Sequence, residues 1–282
     1  MSLNRPIWKL RDWIDKSKIC YFNLCKNPNA IDLLLKNPDK IDWDSLSSNP
    51  HPKAIELLLQ NPDKINWFQV IYNSNGYEII KNKLDNISWG WHVLSSKPEY
   101  MELMLNNPSK IDWKYLCLNS HPEAIKLLKT YPDKIYYSWL SANSNDEAFE
   151  LLMKNQNKIS WIAFSTNTNP KAIEFLEKNP DKIDWYQLSR NPSAIKLLSD
   201  NISKVYENPI SLNPNAIELI EKNRNLISYS ELSTNPAIFE LDYEVMKFNN
   251  RKLEEELIRE IMKPSRVFKN PDYDYIEELF GD

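Results

Sequence analysis

Three histidines and three cysteines are the residues whose types could support nucleophilic, metal or proton-transfer chemistry near neutral pH. His51 and His121 occupy equivalent places, each just before a proline, in "NPHP" and "NSHP". His92 stands alone, and no histidine has a carboxylate or thiol at the spacing of a catalytic motif. Cys20 and Cys25 are five apart, unlike a zinc-binding pair. With Cys117 they are too few and too scattered for a disulfide framework, so they read as reduced thiols in a cytosol-like compartment. The chain has only three glycines, which argues against phosphate-cradling loops and hairpin-rich folds. The many carboxylates sit at helix starts and turns, where no acid–base pair can be singled out. The expectation is a chain that is not an enzyme and takes no cofactor and no metal.

The elements that would position any site come from a repeated phrase. "NPDKIDW" at residues 37–43 returns as "NPDKINW" at 61–67. Taking the aromatic after "KIx" as an anchor gives Tyr21, Trp43, Trp67, Trp89, Trp113, Tyr137, Trp161 and Trp185, and then the degraded positions Glu207 and Tyr229. The intervals are 22 or 24 residues, and the ten copies span 19–240. A fixed period of this size marks units that bury their apolar faces only against their neighbours. The two-residue difference falls in the Asn-Pro turn, as "LSRNPSAI" beside "LSSNPHPKAI" shows. Asp42, Asp112 and Asp184 precede their anchors as helix N-caps. "WDSLSS" then makes a short first helix, proline stops it, and "KAIELLLQ" makes the second, with Ala54, Ile55, Leu57 and Leu58 facing inward. Neither helix is long enough to stand alone in water.

The expected architecture is an all-α solenoid of about ten 22–24-residue two-helix repeats. Residues 1–18, with Trp8 and Trp13, form an N-terminal cap, and 241–282 form a capping helix and an acidic tail, "NPDYDYIEELFGD". Leu253, Leu257, Ile258 and Ile261 follow helical spacing in that helix, and Pro264 ends it. The N-terminus has no apolar signal-like run, and no stretch is long and apolar enough for a membrane span.

The unit "LSxNPxAIxLLxxNPxKI" is similar to the leucine-rich variant repeat. The resemblance runs over 19–240 and implies a right-handed α-superhelix in which one of the two helices is 3₁₀. This chain departs from that pattern in its Trp or Tyr anchor and its Lys-Ile, and it has nothing comparable to the iron–sulfur cysteine cluster that some members carry. The Trp-rich form also looks like tandem-repeat proteins encoded by large DNA viruses of amoebae, which implies a host-cytoplasmic or virion location. The resemblance is specific for architecture and nearly silent on activity.

Positions that vary between copies are free of packing constraints, so they are where function would show. Two residues after the anchor, Trp91, Tyr115 and Trp139 fall in consecutive copies, and Phe68 and Tyr186 extend them from one residue after the anchor. An aromatic stripe on a stiff array suits a protein or peptide partner. The leading expectation is therefore a non-enzymatic protein-interaction scaffold. An alternative uses the recurrent Lys40, Lys64, Lys110, Lys134, Lys158, Lys182 and Lys204 as a ridge along nucleic acid, although Asp39, Asp63, Asp133 and Asp181 lie directly beside it. The net charge of -4 gives no general pull toward polyanions or membranes. A further alternative is a structural or virion component that assembles head to tail. The anchor aromatics themselves read as inter-copy packing.

Overall fold

A computed structural model describes residues 6–81 and 83–261. The chain is all-α in class, 65% helix against 2% strand, with 20 α-helices among the described residues. It divides into two compact units, Arg11–Phe239 and a smaller one made of Met1–Leu10 with Glu240–Asp282.

In the larger unit the second copy has three helical pieces. Trp43–Leu46 is one α-turn, capped as expected by Asp42, whose Oδ1 accepts from Ser45 N at 2.7 Å. Pro52–Gln60 is the longer α-helix, with Ala54, Ile55 and Leu58 buried; Leu57, expected on the same face, is only half-buried. The 3₁₀ element is neither of the two helices that the resemblance implied. It is Pro62–Lys64, in the Asn-Pro-Asp-Lys segment that follows the longer helix. Proline fixes the φ of its first residue, and three residues suffice for one tight turn.

Copy length decides how the long helix begins. In the 24-residue copies that begin at Trp43, Trp113, Tyr137 and Trp161 a His or Asn two residues after the buried asparagine caps it. His51 and His121 Nδ1 accept from Lys53 N and Glu123 N at 3.1 and 3.2 Å, and Asn169 Oδ1 accepts from Lys171 N at 2.9 Å. Each of these histidines is a helix cap with Nδ1 as acceptor. In the 22-residue copies that begin at Tyr21 and Glu207 that residue is missing, and the helix starts as a 3₁₀ turn, Pro28–Ala30 before Ile31–Leu35 and Pro214–Ala216 before Ile217–Lys222.

Copies are joined by the asparagine of "Asn-Pro". Asn167 is fully buried. Its Nδ2 donates to Ser141 O at 3.0 Å and Asn143 O at 2.8 Å in the preceding copy, and its Oδ1 accepts from Asn169 N at 2.9 Å. Asn49, Asn73, Asn143, Asn191, Asn213 and Asn235 repeat this arrangement. A second ladder runs through the serine of "Leu-Ser". Ser165 Oγ donates to the anchor carbonyl of Trp161 at 2.9 Å and accepts from Asp184 N, in the next copy, at 3.0 Å. Between the ladders lies the core: Leu46, Leu94, Leu116, Leu140, Phe164 and Leu188, three residues after their anchors, are fully buried, as are Ala54, Ala124, Ala148 and Ala172 on the long helices.

An open right-handed superhelix with a separate cap at each end would leave the first and last copies apart. The ladders join them instead. Asn27 Nδ2 donates to Ser233 O at 3.2 Å and Asn235 O at 2.9 Å, and Cys20 N donates to Ser233 Oγ at 3.0 Å. Trp13, expected over the first copy, has the guanidinium of Arg224 on its ring.

In the smaller unit, β1 (Trp8–Leu10) pairs with β2 (Phe239–Leu241), Lys9 meets Glu240 at 3.3 Å, and Asp242 N donates to Ile7 O. The helix Tyr243–Ile261 follows. Leu257 and Ile258, read from sequence as following its helical spacing, are exposed. Pro264 and the acidic tail lie outside the described residues.

Replacing Asn167 by Ala removes one donor group and one acceptor and leaves three buried backbone partners unsatisfied. At about 1–3 kcal/mol each, the loss is about 3 kcal/mol or more. Asn167→Asp sets a carboxylate against two carbonyls and costs more than Ala. Urea unfolding of both variants checks the order. His121→Asn, the residue used at the same place in "TNP", keeps the wild-type midpoint, whereas His121→Ala loses about 1 kcal/mol.

Candidate partner-binding surface

The fourth copy is the irregular one, and it rearranges the aromatic stripe. Its first helix begins at Trp91, not at Trp89. Ser95 Oγ donates to Trp91 O at 2.8 Å, as Ser47 Oγ donates to Trp43 O. Trp91 is therefore the anchor of its copy, and the buried Val93 takes the place two residues on. The expected three-copy stripe reduces to Tyr115 and Trp139, whose rings lie 4.8 Å apart, both half-buried. His92 packs edge-on against Tyr115 at 4.9 Å.

Two substitutions explain this copy's own shape. The ladder serine of the preceding copy is Ile71, which cannot accept a hydrogen bond. Gly90 N turns to Ile87 O at 2.7 Å instead, and a Cβ on Gly90 would press within 3.3 Å of the Ile71 side chain. The ladder asparagine is Lys97, whose Nζ goes out to Tyr72 O. Its lost contact to Asn73 O is made by Tyr100, which stands where other copies bury an alanine and donates its hydroxyl at 3.0 Å. Burial holds the Tyr100 phenol protonated well above its ordinary range.

Trp89, released from the anchor place, is displaced outward. It stacks on Phe68 with centroids 4.9 Å apart and planes 19° from parallel, and Tyr72 flanks Phe68 at 6.4 Å. All three are exposed: Phe68 57%, Tyr72 48% and Trp89 43%. A matching pair occurs at a later junction, where Tyr186 meets Tyr206 edge-on at 5.5 Å, both about half exposed. In each pair a residue one after the anchor meets an aromatic close before the next anchor, Trp89 two residues before Trp91 and Tyr206 one residue before Glu207. Phe22 and Ile162 hold the first of these two places in other copies and are exposed as well. The exposed aromatic column is thus the one containing Phe68 and Tyr186, while Tyr115 and Trp139 belong to a more buried one. Trp89, Tyr72 and Tyr206 are the members that sequence reading missed. The signal was present, because "aromatic-x-x-Leu-Ser" fits Trp91 and leaves Trp89 surplus.

Much of the lysine series is tethered to the packing. Lys40, Lys64, Lys158 and Lys204 place their Nζ 4.4–4.6 Å from the ring centroids of Tyr21, Trp43, Tyr137 and Trp185. Each lysine thereby covers the anchor ring of its own copy. Lys134 and Lys182 pair with the adjacent Asp133 and Asp181 at 3.3 and 3.2 Å. Lys110 ends the equivalent 3₁₀ turn, Pro108–Lys110.

Cys25 and Cys117 replace ladder serines and are fully buried; their Sγ atoms accept from Asp42 N and Tyr136 N at 3.3 Å. Burial raises both thiols, Cys117 from 9.0 to about 11. No group of three or more His, Cys, Asp and Glu among the described residues is placed to hold a metal ion, and no helix among them is long and apolar enough to cross a membrane.

No protein-family model matches the chain, and no curated protein or solved structure matches it.

The raised Cys117 pKa has a definite sign for stability. The unfolded thiol ionises near 9 and the folded one near 11, so the folded state loses stability as pH rises through that window. Cys117→Ser removes this titration and restores the ladder hydroxyl. Its unfolding midpoint between pH 9 and 11 therefore falls less steeply than that of the wild type, as thermal melts across that range will show.

Proposed function

We propose that the chain is a non-enzymatic protein-interaction scaffold: an α-solenoid of about ten 22–24-residue copies that presents side chains from consecutive copies to a protein or peptide partner. The supporting observation is the exposed aromatic clusters at copy junctions, above all Phe68, Tyr72 and Trp89. Large rings left in water cost free energy, and rigid exposed aromatics are the residue types that anchor protein interfaces. They sit at variable positions on a frame whose conserved-pattern residues are already committed to the two ladders and the anchor rings. The mechanism is passive. Stiff copies hold the clusters at fixed spacing, so little side-chain freedom is lost on binding. The partner is a protein or peptide met in a reducing, cytosol-like compartment, with host cytoplasm or a virion as the setting implied by the viral resemblance.

The test is a pull-down from host lysate with nuclease-treated and untreated arms. It compares the wild type with Phe68→Ser/Trp89→Ser and with Tyr186→Ser/Tyr206→Ser. These side chains are exposed, so both double variants keep wild-type helicity and melting. Trp91→Ser, by contrast, removes an anchor and lowers stability. The expected result is a captured protein lost from at least one double variant, retained after nuclease and weakly dependent on salt. Capture that ignores both variants but disappears with nuclease or with added salt transfers the function to the lysines and overturns the scaffold reading.

A further inference from the structure

We infer that the copies in Arg11–Phe239 form a closed ring, in which the junction between last and first copy is one more ordinary junction. Four independent contacts carry this. The asparagine ladder passes the junction through Asn27, donating to Ser233 O and Asn235 O just as Asn167 donates to Ser141 O and Asn143 O. The serine ladder passes it through Ser233, which accepts from Cys20 N at 3.0 Å; Ser141 accepts from Ser160 N at 3.0 Å. The outer amide contact recurs as Asn29 Nδ2 to Pro236 O at 3.0 Å, beside Asn215 Nδ2 to Pro192 O at 2.9 Å. The lysine that precedes "Ile-x-anchor" covers an aromatic anchor here too, Lys18 over Tyr229 at 5.2 Å. The chain also meets itself where it enters and leaves the unit: Arg11 N donates to Ile238 O, and Arg11 Nε donates to Ala237 O at 2.8 Å.

An adventitious touch between two ends would not reproduce four contacts in register, the first of them a pair of buried amide hydrogen bonds from Asn27. The sequence of the junction agrees. Asn27, Asn29 and Lys18 are the repeat's own residues, not the polar substitutions that cover the outer face of a terminal copy.

Closure has consequences that an open array lacks. In an open array each terminal copy has one neighbour, so it frays, and its bare face can receive another molecule's end. In the ring every copy has two neighbours and no junction face is left bare. Head-to-tail stacking through a junction face therefore has no surface to use. Opening one copy breaks two junctions, so the unit unfolds as one.

Hydrogen exchange on the full chain tests this without mutation. The amides of Cys20, Asn29 and Ala237 correspond to those of Ser160 and Asn169 in the middle of the sequence. They should exchange within about tenfold of those counterparts under native conditions; terminal amides faster by on the order of 100-fold would mean frayed ends and no ring. A second measurement is independent of exchange. Asn23 Nδ2 lies 3.0 Å from both the carbonyl and the hydroxyl oxygen of Ser230. The variant Asn23→Cys/Ser230→Cys, with Cys20→Ser to remove the more accessible native thiol, is treated with a short bismaleimide at dilute protein concentration. A within-chain cross-link seen by intact mass, with a raised melting temperature, supports closure. Cross-links formed only between chains, or none while the melt stays native, overturn it.

Discussion

A buried primary amide is an expensive group to leave unpartnered, and this molecule uses it as its joint. Each ladder asparagine has two N–H donors and one carbonyl, and in a full rung all three are satisfied: two by the preceding copy and one by the turn that starts the next helix. No other residue meets those demands at that length. Aspartate lacks the donors, and glutamine would overshoot. The same side chain therefore sets the distance between copies and launches the following helix, so local and tertiary structure are decided together. Around this joint the apolar residues are modest, mainly leucine, isoleucine and alanine, because the ladder already fixes their register.

The fourth copy shows how strictly that demand is kept. When asparagine is replaced by Lys97, the carbonyl of Asn73 is met by a tyrosine hydroxyl from a position that elsewhere holds alanine. When the ladder serine is replaced by Ile71, the amide it would have received pairs locally, and glycine makes room for the branched side chain. The buried polar groups are re-partnered, while the aromatic that no longer fits the pattern, Trp89, goes to the surface beside Phe68. An exposed cluster of three aromatics thus lies at the junction where the repeat is most disturbed. A packed array can vary only where packing has already been given up.

The lysines show the same economy in another way. A cation over an aromatic face keeps its hydration on one side while covering a ring that would otherwise meet water. Lys40, Lys64, Lys158 and Lys204 do this for the anchors of their copies. Four of the seven regularly spaced lysines are, in space, lids on the anchor rings.

Much of this was legible in the residues alone. The 22- and 24-residue spacing, the Asp caps before the anchors, the placing of length changes in the Asn-Pro turn and the inward leucines all follow from local rules: proline geometry, capping and apolar periodicity act within a few residues. The anchor of the fourth copy was legible too, but only by counting back from "Leu-Ser" rather than forward from "Ile-x-aromatic". What local rules cannot reach are contacts that depend on the position of another copy. Whether a lysine faces solvent or a ring, whether Tyr115 stands in line with Trp91, and whether Asn27 has a neighbour before it are questions of distance across roughly 20 residues or 200. The first and last copies carry the same joint residues as every other, so the sequence determined what each junction is made of. That the last junction closes on the first was decided by the tertiary structure, because closure depends on the small rotation at every copy summing to a full turn, and no single segment encodes that sum.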